Sequence, residues 1–200
     1  MPDGAVIDGS GPLTLCAALL GPLSCQWEFW LMSWYLDGTL DVERHNAEVN
    51  AVWQAYREGH PTRVPVSIHG SIRNFIQNPV LNHTPWTFAD FFCNPQAQID
   101  CQLAYQKWCR YNLVCDQEMG PPSGGWQLRI DFQNSYDAGW FGCPLHLAGN
   151  AVPDTVEILR EDKHRLYEME CPDPLRGNLL GRAMEFFEYM HDRCPHMEFD

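Results

Sequence analysis

No lysine or arginine precedes Arg44, although the same stretch carries six acids, Asp3, Asp8, Glu28, Asp37, Asp41 and Glu43. A secretory leader needs basic residues ahead of its apolar run, so none is expected here. A membrane span is missing too. The one long apolar run, Leu13 to Leu23, is cut by Gly21 and Pro22 and falls far short of the roughly 20 residues a bilayer requires. The expectation is cytoplasmic residence with no membrane partner. No cluster of basic residues with interleaved aromatics relieves the net charge of −13, which repels phosphate backbones and argues against nucleic acid as a partner. Also absent are a Gly-rich phosphate loop, a nucleophile elbow and a zinc-protease helix.

Cysteine is plentiful but unpatterned. There are nine, an odd number with no C-x-x-C, at positions 16, 25, 93, 101, 109, 115, 143, 171 and 194, spacings that fit no zinc module. They read as reduced, mostly buried thiols. His146 follows Cys143 by three residues, which is half a metal site with no second pair nearby, and no metal ligand is assigned.

What is present suffices for a core: 200 residues, 45% hydrophobic and 12% aromatic, the size of one globular domain. Residues 1–40 are rich in Gly, Pro, Leu and Trp without a sustained period and form an unassigned extension. From Asp41, a plausible N-cap, Val42, His45, Val49, Val52, Trp53 and Tyr56 recur at helical spacing until Gly59 and Pro61. Arg63 to Ile68 alternates Val64, Val66 and Ile68 and predicts a strand, edge-like because of Pro65. Thr87 and Asp90 form a capping box, and Asn94-Pro95 opens a helix whose Ala97, Cys101, Ala104, Trp108 and Tyr111 share a core face.

Residues 120–125 are a loop by composition. Leu145 to Val152, with Gly149-Asn150 inside, predicts a hairpin, and a helix over about 178–193 would bury Leu180, Ala183, Met184, Phe187 and Met190. Strands separated by long helical stretches point to an α/β fold with parallel strands.

The richest segment is Trp126 to Pro144. Trp126, Leu128, Ile130 and Phe132 alternate with Gln127, Arg129, Asp131 and Gln133, giving one dry face and one polar face before a Gly-containing loop. In an α/β barrel, polar residues at strand C-termini line the catalytic mouth. Two such ends qualify: His69, Ser71 and Arg73 after the first strand, and Arg129, Asp131, Gln133, Asn134, Tyr136 and Asp137 on and after the second. Together they could hold a carboxylate-bearing substrate, with an arginine as forked donor and Asp131 as acid, base or acceptor. A solvated strand face with an Arg129–Asp131 ion pair explains the same residues equally well.

The order of these motifs resembles the N-terminal part of the uroporphyrinogen decarboxylase superfamily. The likeness rests on Arg63-Val-Pro-Val66, on Thr87-Phe-Ala-Asp-Phe-Phe-Cys-Asn-Pro-Gln96, on Ile130 to Leu145, and on the run from Pro153-Asp154 to Arg193. The resemblance implies the N-terminal portion of a (β/α)8 barrel over residues 41–200, incomplete in this chain, since such barrels need about 250 residues. It implies either cofactor-free removal of tetrapyrrole carboxyl groups or methyl transfer between corrinoids and thiols with zinc. No cofactor ligand is evident, and zinc would enter only through ligands supplied by a missing half.

In that register Arg73, Asp131 and Asn134 are the expected catalytic residues, and His69, Ser71, Arg129, Gln133 and Tyr136 the substrate-binding ones. The chain departs from the decarboxylases where His69-Gly-Ser-Ile-Arg-Asn74 replaces an R-Q-A-G-R run, and where Asn134 stands at the family's strand-end aspartate. The substrate expected is a tetrapyrrole or corrinoid-linked molecule. The alternatives are an inactive partial barrel that self-associates through open strand edges, and a module that binds a planar ligand between Trp126, Trp140 and Phe141.

Overall fold

In the computed structural model the described residues are 5–7, 40–148, 150–195 and 197–199. The expected extension over residues 1–40 lies almost wholly outside them, as does Gly149 of the expected hairpin turn. The elements in order are β1 (Ala5–Ile7), α1 (Val42–Arg57), α2 (Ile72–Gln77), α3 (Phe88–Cys93), α4 (Pro95–Asn112), β2 (Gln127–Leu128), α5 (Tyr136–Trp140), β3 (Leu145–Leu147), β4 (Asp154–Thr155), a 3₁₀ turn (Lys163–Tyr167), α6 (Asn178–Arg193) and β5 (Glu198–Phe199). The described chain mixes helix with a little sheet, so α/β holds in the loose sense. β3 pairs antiparallel with both β1 and β4, and β2 pairs parallel with β5.

Local signals set most helix ends. Asp41 accepts the Arg44 N–H and starts α1. Thr87 and Asp90 close a capping box on α3, and Asn94 caps α4 with Pro95 in its first turn. The two caps adjoin in sequence, so α3 and α4 meet at a sharp corner. Inside it Phe88, Phe91 and Phe92 are buried beside Phe75 of α2, Phe132 and Phe186 of α6. Their rings lie edge-on or tilted, with Phe132 5.7 Å from Phe92 and 5.0 Å from Phe186 between centroids.

Helix α6 has the predicted bounds but is rotated on its axis. It buries Leu179, Phe186 and Met190, whereas Met184 and Phe187 stay on the outer side. The reason is Gly139 of α5: a Cβ there would lie 2.5 Å from Leu179 Cδ2, so the bare glycine lets α6 seat Leu179 instead of Leu180. The hairpin also differs. β3 pairs with Asp154–Thr155, so the connection runs past Val152.

The segment Arg63 to Ile68 is not a strand of any sheet. It does not pair with β2, whose ladder partner is β5, so the two expected strands are not hydrogen-bonded neighbours in one parallel sheet. Its backbone is bonded instead by Asp116, whose carboxylate accepts the Val66 N–H at 2.7 Å and whose own N–H donates to the Val66 carbonyl at 2.8 Å. Both oxygens of that carboxylate are also gripped by the Arg63 fork. The Asp116 carbonyl accepts the Trp53 indole N–H, and next to it His45 and Asn46 bond the backbone of Gln117 and Met119. Asp116 thus joins α1, residues 63–66 and the loop after α4.

The Arg63 guanidinium, helped by the Val66 N–H, holds the Asp116 carboxyl down at about 2. That lies below the roughly 3.9 of an unfolded aspartate, so its stabilisation is complete above about pH 4 and is lost as pH falls through about 2. Hydrogen exchange of α1 amides is expected to accelerate across that window. Asp116→Asn should abolish the acid step while loosening α1 at neutral pH; an acid step that survives in Asp116→Asn would remove this assignment.

Candidate functional site

Residues 127–132 run extended between two unlike edges. Along one edge the partner is a helix. Gln98, Gln102 and Gln106 stand at successive four-residue steps of α4, and each side-chain amide both donates to and accepts from one backbone unit. Gln106 pairs with Gln127, Gln102 with Arg129 and Gln98 with Asp131, with N···O distances from 2.6 to 3.3 Å. The match is metric: four helical residues rise about 6 Å and two strand residues about 6.6 Å. A carboxamide presents an N–H and a C=O side by side like a peptide group, so α4 imitates a neighbouring strand. On the other edge Leu128 lies in the β2–β5 ladder. Farther along, the Tyr136 hydroxyl donates to the Ile130 carbonyl at 2.5 Å and accepts the Phe132 N–H at 3.2 Å.

At the end of this segment Gln133 adopts φ 56°, a left-handed conformation that costs a non-glycine residue about 1 kcal/mol or more. The turn is held by Asp131, which is 6% exposed and whose Oδ1 accepts the Gln133 backbone N–H at 2.9 Å and its side-chain amide at 2.7 Å. Arg129 Nη2 lies 3.5 Å from Asp131 Oδ2. From α2, Arg73 Nε donates to Gln133 Oε1 at 2.6 Å, and its Nη2 reaches Asn134 Oδ1 at 3.3 Å. Five of the eight expected site residues, Arg73, Arg129, Asp131, Gln133 and Asn134, therefore form one connected polar surface.

The other three do not join it. Ser71 caps α2 by accepting the Arg73 N–H, and Tyr136 completes the strand edge. His69 is exposed and bonds Ser67 Oγ at 2.7 Å and Gln117 Nε2 at 2.9 Å. Next to the site, Tyr105 donates to the Gly70 carbonyl at 2.5 Å, and burial raises its phenol well above the ordinary value, an effect Arg129 partly offsets.

Two guanidinium groups and one carboxylate leave this surface locally positive on an acidic chain. Arg73 Nη1 and the Nε and Nη1 of Arg129 have no protein partner among the described residues. Forked donors of this kind suit a carboxylate or another planar oxyanion. Residues that could hold a metal are not gathered: among the described residues no group of three His, Cys, Asp or Glu side chains is placed to do so. Trp140 and Phe141 pack 5.0 Å apart, while Trp126 lies 5.8 Å from the Lys107 ammonium.

Sequence reasoning missed Gln98, Gln102 and Gln106. Their four-residue spacing was visible, but nothing local names the strand they serve. Among the described residues no helix is long and apolar enough to cross a membrane. Comparison with protein-family models, with curated proteins and with solved structures finds no match for this chain.

Proposed function

We propose that the Arg73–Arg129 surface binds a small molecule through its carboxylates. The observation that carries this reading is the hydrogen-bonded chain Arg129–Asp131–Gln133–Arg73, which ties two arginines from distant segments into one network and leaves N–H groups of both unspent. Buried Asp131 serves as the anchor that orients them, and Asn134 adds an amide at the rim. The substrate class suggested by the superfamily likeness, a polycarboxylated tetrapyrrole, fits a locally cationic surface.

The probe is uroporphyrin, titrated by fluorescence, with its octamethyl ester as control. Each of Arg73→Ala and Arg129→Ala should weaken binding about tenfold or more, as expected for a charge-assisted hydrogen bond worth roughly 1.5–3 kcal/mol. Equal affinity for acid and ester, or no change in either variant, would sink the proposal.

A second reading is an enzyme of the uroporphyrinogen decarboxylase superfamily, with Arg73 on a substrate carboxylate and Asp131 and Asn134 accepting pyrrole N–H groups. It includes the finer architectural claim, the N-terminal part of a (β/α)8 barrel. The parallel β2–β5 pair with helices between its strands favours it; the unpaired Arg63–Ile68 segment places it second. Carbon dioxide release from uroporphyrinogen, lost in Asp131→Ala, would select decarboxylation. Methyl transfer from a methylcorrinoid to a thiol would select the other branch.

A further inference from the structure

We propose that residues 63–70 form an interface for a second copy of this chain, the two segments pairing antiparallel about a two-fold axis at Ser67. From Val64 to Gly70 the segment makes no turn or bend and is exposed along almost its whole length, with Val64, Val66 and Ile68 at 72%, 56% and 50% exposure. On the inner side Asp116 holds both backbone groups of Val66, the Cys115 thiol lies 4.0 Å from the Ile68 carbonyl, and Tyr105 takes the Gly70 carbonyl. The odd-numbered groups belong to the opposite edge. There the Pro65 carbonyl, the backbone N–H and carbonyl of Ser67 and the backbone N–H of His69 have no protein partner among the described residues. Such an edge is a template for another strand.

A second copy fits this edge better than an arbitrary peptide for two reasons. The first is register. An isologous contact is self-complementary, and a two-fold at Ser67 lets the two Ser67 residues exchange both hydrogen bonds. Each His69 N–H then meets the Pro65 carbonyl of the other molecule, where the missing proline N–H is not required. Beyond that point Pro65 gives no donor, so the ladder stops after a short ribbon and does not propagate. The same register sets Val66 beside Ile68 of the second copy, at the close spacing of a non-hydrogen-bonded pair.

The second reason is charge. On a chain of net charge −13, residues 61–71 contain no acid, and Asp116, the carboxylate that touches them, is paired with Arg63. Like-charge repulsion between two copies is weakest where acids are absent. An interface of this length is small and its dimer exchanges readily.

The test uses the full chain in sedimentation velocity across concentration, with hydrogen exchange as a local reporter. The mass should rise from 23.0 kDa toward twice that value, with the Ser67 and His69 amides becoming protected as it does. Ser67→Pro removes the central donor, and Ile68→Lys replaces the apolar contact with Val66 of the second copy by a charge and sets the two lysines on a diagonal of one face; both should stay at the single-chain mass with unchanged far-ultraviolet circular dichroism. If Ser67→Pro fails to fold, the exposed Ile68→Lys decides alone. A wild-type chain that remains a monomer at every soluble concentration, or a dimer that survives Ile68→Lys, overturns the proposal.

Discussion

Gln98→Ala is expected to lower the unfolding free energy by about 2–5 kcal/mol, because it strands the N–H and C=O of Asp131, each of which costs roughly 1–3 kcal/mol when buried without a partner. Gln98 itself is fully buried, and both its hydrogen bonds go to that one backbone unit. Bulk water does not reach the amide there. Gln102 is 4% exposed and Gln106 more so, so Gln102→Ala should cost less and Gln106→Ala least, a gradient that follows access to water. Urea unfolding of the three variants measures it, and equal losses would show that the amides do not act as a substitute strand. Gln98→Glu is no remedy. It keeps an acceptor for the Asp131 N–H but sets a carboxylate against the Asp131 carbonyl.

Phe132→Ala is expected to cost about 3–5 kcal/mol, the range for emptying a large aromatic site in a core that cannot collapse. The ring is fully buried and meets Phe92, Tyr136 and Phe186, so one side chain joins α3, α5 and α6. For a chain of this length the loss corresponds to a fall in Tm of roughly 10 °C. Phe132→Leu should retain more than half of that, since it leaves a smaller void. Thermal unfolding followed by near-ultraviolet circular dichroism separates the two; a loss below about 1 kcal/mol for Phe132→Ala would mean the three helices do not depend on this contact. The two variants probe neighbouring residues of one backbone segment, so their effects should not add.

Helix ends were legible because capping is local. Asp41, Thr87 with Asp90, and Asn94-Pro95 act within four residues, and each starts the helix that the spacing indicated. Residues 63–68 misled for an equally physical reason. Alternation reports an extended backbone with two unlike sides, and the segment is extended; it does not report whether a strand or an aspartate side chain takes the backbone hydrogen bonds. The rotation of α6 was illegible because eight apolar residues make the stripe broad, and the choice between Leu179 and Leu180 rests with Gly139, some forty residues earlier in the chain.

The candidate site divides the same way. Arg73, Arg129, Asp131, Gln133 and Asn134 were recognisable as polar residues where two segments end, and their convergence needs only that those ends meet. Ser71 and Tyr136 carry the same chemistry in sequence but are committed to backbone groups, which no spacing rule announces.

By itself the sequence determined where helices begin and stop, that a core of one domain could be buried, and that the chain is acidic, because propensity, capping and charge are properties of neighbours. The tertiary structure alone decided which partner satisfies each backbone edge: glutamines and a tyrosine for residues 127–132, an aspartate for residues 63–66. Every N–H and C=O removed from water must find a partner, yet a carboxamide, a hydroxyl and a carboxylate can all supply one, and only the packed chain selects among them.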